Sequence, residues 1–160
     1  MAWAASPSRA TRPTAQEGSG TTSSSTSWCR TASPLDQAEL QAVGEQAGMP
    51  RDADELMDGL AGFVERRLAG RGRQRSLAHY ACAVESVRHP ELREILVPRQ
   101  NAAREAVRAF LEARGVADAE GRTLTLLACV DGLVFDRLVG GGGVPRDEIA
   151  GLVAAALRDA

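Results

Sequence analysis

The sequence predicts an all-α fold: an antiparallel helical bundle of about six helices, preceded by a disordered leader. Three observations point there. Beyond residue 33, apolar residues recur at spacings of three and four, the pattern of helix faces. Ser, Asp and Pro stand where helices would begin, and Gly or His-Pro where they would end. No segment shows the period-two alternation of a half-buried strand.

Residues 1–33 are rich in Ser, Thr, Ala, Pro and Gly and lack any apolar period. Such a segment buries too little surface to offset the entropy of ordering it. The expected division is therefore a low-complexity leader over 1–33 and a helical domain over 34–160. The leader contains neither the amphipathic helix of a transit peptide nor the apolar core of a secretion signal.

Order is expected from Ser33-Pro34-Leu35-Asp36, which offers a cap, a proline suited to the first helical position and the acid of a capping box. That short helix runs through Leu40 and Val43 to Gly48-Met49-Pro50. Asp52 caps a second, with Leu56, Leu60, Phe63, Val64 and Leu68 on one face and a stop at Gly70. A third spans Arg73 to His89 and carries Leu77, Tyr80, Ala81, Val84 and Val87; Pro90 ends it by excluding His89 from the α region. A fourth begins at Pro90, carries Leu92, Ile95, Leu96, Ala103, Val107, Phe110 and Leu111, and closes at Gly115. Pro98 lies inside it and should kink or break it one turn earlier.

Asp118 caps the fifth helix, which ends at the run Gly140 to Gly143. Its apolar residues, Leu124, Leu126, Leu127, Val130, Leu133, Val134, Phe135 and Leu138, exceed the single stripe of ~100° that a surface helix needs. Such a helix must be covered on two sides. The sixth, Pro145 to Asp159, has one stripe: Ile149, Leu152, Val153, Ala156 and Leu157. The pair is expected to pack into its own domain on one side and to meet a second copy of the chain on the other.

A chain of 160 residues, 44% hydrophobic, can bury a real core. No run approaches the ~18 apolar residues of a membrane span, so no membrane partner is expected. A net charge of -2 and a pI near 5.7 provide no overall basic face for nucleic acid. Cys29, Cys82 and Cys129 are an odd number without CxxC spacing, which suggests neither a disulfide framework nor a zinc site and leads to an expected cytoplasmic location. The glycine run lacks the Gly-Lys-Ser/Thr of a phosphate loop. His79 and His89 lack the Glu-x-x-His pairing of a bundle metal centre. No nucleophile, base and orienting acid stand at recognisable spacing. Metal, cofactor and enzymatic activity are accordingly not expected. Two polar features remain. Arg66, Arg67, Arg71, Arg73 and Arg75 form a basic cluster that reads either as a solvated turn or as a contact for phosphates or a partner. Asp131 stands on an apolar helix and needs a partner or water.

The succession PELREILVPRQNAAREAVRAFLEARG, DAEGRTLTLLACVDGLVFDRLVG and VPRDEIAGLVAAALRDA resembles the C-terminal regulatory domain of TetR-family transcriptional repressors over roughly residues 36 to 160. Leu126-Leu127-Ala128-Cys129-Val130-Asp131-Gly132-Leu133 is similar to that family's penultimate-helix pattern. The resemblance implies a homodimer built on the last two helices, with Leu126, Val130, Gly132, Leu133, Ile149, Leu152, Val153 and Ala156 at the interface. It also implies a small hydrophobic effector, bound inside each subunit near Phe63, Tyr80, Gln100, Arg104 and Asp131. DNA would be a partner only where an N-terminal helix-turn-helix reader is present. Residues 1–33 show no such reader, so the chain is expected not to bind operator DNA alone; the leader is either genuine or an out-of-frame remnant of the reader. The alternative from another class is a stand-alone helical enzyme or scaffold.

Overall fold

The computed structural model describes residues 48–96 and 101–158. The expected leader and the helix from Ser33 to Gly48 fall almost wholly outside them. All regular structure among the described residues is helical: five helices of 11 to 22 residues and two short turns between them.

Helix α1, Ala53–Leu68, starts where its cap predicts: the Asp52 carboxylate accepts the Glu55 amide at 2.8 Å. Asp52→Ala removes this acceptor and should cost about 1 kcal/mol, read in a melting experiment as a fall in Tm of about 4 °C. The helix buries Leu56, Leu60, Ala61 and Val64 along one stripe.

Helix α2, Gly70–Glu85, begins after the single extended residue Ala69 and ends short of His89. Its inner face corrects the sequence expectation. Ser76 and Cys82 are buried, whereas Leu77, Val84 and Val87 are 48%, 72% and 71% exposed. The reason is the closeness of the two helices. A Cβ placed on Gly72 would lie 1.7 Å from the Arg66 carbonyl oxygen, and the Ser76 hydroxyl donates to the Arg67 carbonyl at 3.0 Å. Only small side chains fit at that junction, so the larger apolar ones turn outward.

The expected fourth helix is two pieces. A 3-10 turn over Pro90–Leu92 leads into the single-turn α3, Arg93–Leu96, and α4, Ala102–Ala113, starts afresh with the Asn101 side chain accepting the Arg104 amide at 3.2 Å. A break at Pro98 accords with this division, although Pro98 itself lies outside the described residues. Leu92 and Cys82 form a small buried cluster against Leu96. Val107, Phe110 and Leu111 of α4 enter the main core.

Helix α5, Ala119–Gly140, is capped by Asp118, whose carboxylate accepts the Gly121 amide at 3.1 Å, and it ends at Gly141 with φ +79°. Helix α6, Arg146–Ala156, returns alongside α5 and packs across α1. The Arg122 guanidinium bonds the Ala155 carbonyl at 2.9 Å, and Arg137 reaches Glu148 at 2.8 Å. The core is thus the enclosure between α1, α4, α5 and α6, centred on Val64, Phe110, Leu111, Val130, Val134 and Ile149. No described helix is long and apolar enough to cross a membrane.

Candidate functional site

Where α1, α2 and α5 meet, several polar and aromatic side chains converge. Phe63 and Arg67 stand one turn apart on α1. The Arg67 guanidinium lies 5.7 Å from the Phe63 ring centre and 6.0 Å from that of Tyr80 on α2. Both distances suit attraction of a cation to an aromatic face. The Tyr80 ring also meets Phe135 of α5 edge to face, at 5.2 Å. Its hydroxyl donates to the Asp131 carboxylate at 2.8 Å, with the Asp131 carbonyl at 3.1 Å. Burial and the neighbouring carboxylate push the Tyr80 phenol above its ordinary value, so it stays a neutral donor across the physiological range.

Three of the five residues expected at a ligand site, Phe63, Tyr80 and Asp131, are therefore brought together. Arg104 is not among them, because Glu120 near the start of α5 holds its guanidinium in an ion pair. Gln100 falls outside the described residues. Phe135 and Arg67 are the members that sequence reasoning missed. Phe135 belongs to the apolar run of α5 yet is 50% exposed, and Arg67 is one of five arginines in the basic cluster. That cluster disperses: Arg66 and Arg71 are exposed, Arg67 is half-buried, and Arg73 of α2 bonds the Leu138 carbonyl of α5 at 2.9 Å. The signal that could have singled out Arg67 is its spacing of four from Phe63 on the same face.

The residues expected at a dimer interface divide differently. Leu126, Val130, Ile149, Val153 and Ala156 are 0–6% exposed within the single subunit. They belong to its core, and Leu126 and Ala156 also line the groove between α5 and α6. Leu133 and Leu152 are half-buried against that core. Gly132 is exposed, with nothing within 4 Å of a Cβ built on it. The second apolar side of α5 is instead the row Leu124, Ala128, Phe135 and Val139, all exposed. Beside it an open groove of about 440 Å³ runs between α5 and α6, with Thr125, Cys129, Leu152 and Ala155 in its walls. Cys129 is a free thiol at the surface. Among the described residues no group of three His, Cys, Asp or Glu side chains could hold a metal ion.

The fold defines an all-helical domain with a polar and aromatic cluster between three helices and an uncovered, small-residue face on its last two. A family model described as "Tetracyclin repressor-like, C-terminal domain" matches residues 51–159, and the chain belongs to that family of transcriptional regulators through this domain. No curated protein and no solved structure matches it.

Proposed function

We propose that this domain senses a small, largely apolar molecule at the Phe63–Tyr80–Asp131 cluster and pairs with a second copy of the chain across the outer faces of α5 and α6. The interface is redrawn from the buried stripe to Thr125, Ala128, Gly132 and Val139 on α5, with Gly151, Leu152 and Ala155 on α6. Small residues there let helices approach closely. DNA is a partner only where a reader domain accompanies this one; the domain itself carries regulation, not catalysis.

The observation that supports the reading is the position of α5. It presents Asp131 and Phe135 to Tyr80, while Gly132, one residue and about 100° further round, faces open space. A ligand that displaces Tyr80 acts on the same helix that would meet the partner copy. It can shift the dimer only as far as its affinities for the two arrangements differ.

The test is thermal unfolding of the full chain against a panel of small apolar molecules. A ligand at a hundred times its Kd adds about 2.7 kcal/mol to the native state, so a member of the panel should raise the Tm by several degrees. A flat Tm across the panel together with a monomeric mass would contradict both halves of the proposal.

A further inference from the structure

The geometry points to a flat organic acid as the class of ligand at this cluster, its carboxylate on Arg67 and its body against the Phe63 and Tyr80 rings. The inference rests on the preceding reading of the cluster as the effector site, and it is carried by how Arg67 is left within it. The Arg67 Nε is buried without a hydrogen-bond partner. Thr123, whose hydroxyl shares that condition, is a neutral side chain wholly inside the core; Arg67 brings a full charge to the edge of a surface cluster. Five other arginines pair with acids, Arg51 with Glu55, Arg104 with Glu120, Arg108 with Glu105 and Glu112, Arg137 with Glu148, and Arg146 with Asp58, and Arg73 and Arg122 reach backbone carbonyls. Among the described residues no carboxylate pairs with Arg67, and the nearby Asp131 is bonded to the Tyr80 hydroxyl instead.

A guanidinium offers a planar fork of donors that a carboxylate matches with two parallel bonds. Its flanking rings already form two apolar walls, against which a flat ligand can stack. A neutral amide of the same shape offers one carbonyl oxygen to the fork and no charge, whereas a carboxylate accepts two parallel charge-assisted bonds, the Nε–H among them. Access to that edge needs the Tyr80 ring to move aside. Tyr80 is half-buried and is held to α5 by its hydroxyl bonds to Asp131 and by its edge contact with Phe135.

The experiment is an NMR titration of the full-length chain with 2-naphthoate and, separately, with 2-naphthamide, which has the same rings and no charge. The wild type should bind the acid about tenfold more tightly than the amide, a ratio in reach of one bidentate charged contact. Arg67→Met should bring the ratio close to one. Arg67→Lys, which keeps the charge but not the fork, should give an intermediate ratio and serves if the first variant is unstable. Equal binding of acid and amide by the wild type, or an undiminished preference in Arg67→Met, would overturn the inference and leave the effector site standing. Failure of both compounds to bind at concentrations up to about 10 mM, where even weak fragments register, would overturn the inference and the effector-site reading together.

Discussion

Gly132→Arg should convert a dimeric chain into a monomer at micromolar concentration without unfolding the subunit. Within the subunit the substitution meets no obstacle, since no atom lies within 4 Å of the Cβ it adds. Replacing a mid-helix glycine even favours the helix, by up to about 1 kcal/mol. Across a closely packed pair of α5 helices, however, the same side chain forces the backbones apart and strands a charge against apolar surface, a cost of several kcal/mol. Light scattering should therefore report one chain's mass, with circular dichroism and Tm close to those of the parent. A dimer of unchanged mass would place the interface elsewhere, and a monomeric parent would remove it.

Gly72→Ala should be the most damaging small substitution within the subunit itself. Its new Cβ would sit 1.7 Å from the Arg66 carbonyl oxygen and 2.8 Å from the carbonyl carbon. Both are backbone atoms of α1's last turns and cannot rotate away. The helices must separate by more than an ångström, which also pulls Ser76 from its bond to the Arg67 carbonyl and disturbs the Phe63–Arg67–Tyr80 contacts built on that junction. A loss of about 3 kcal/mol or more is expected, measurable as a large fall in the midpoint of denaturant unfolding. Gly59, also within a helix but with open space around it, should tolerate alanine with no loss, which separates the steric effect from helix propensity.

The helix starts at Asp52 and Asp118 and the stop at Gly141 were legible in the sequence because they are local: a side chain and the amide it caps lie three residues apart. The facing of the helices was not local. The apolar residues of α5 surround enough of the helix to serve either a core or a partner, and periodicity alone does not say which side goes inward. Leu126 and Val130 went to the core, and Leu124 and Phe135 to the surface. On α2 the apolar stripe itself misled, because the backbone approach at Gly72 admits only small side chains between the helices. Three of the five members of the candidate site, Phe63, Tyr80 and Asp131, were legible, and Arg67 and Phe135 were not. Asp131 is conspicuous as an acid on an apolar helix, whereas Arg67 is concealed in a run of arginines, and its aromatic neighbours come from two helices.

The central claim is that ligand and partner meet neighbouring faces of α5, the ligand at Asp131 and Phe135 and the partner from Gly132 towards α6. Hydrogen exchange of the full chain with and without a stabilising ligand tests it most directly. Slowed exchange is predicted on ligand addition in the turns around Phe63 and Tyr80 and along α5 near Asp131 and Phe135, with smaller changes on α6. Protection confined to the α5–α6 groove, around Thr125, Cys129 and Ala155, would instead place the ligand where a second copy is proposed to sit and would contradict the account.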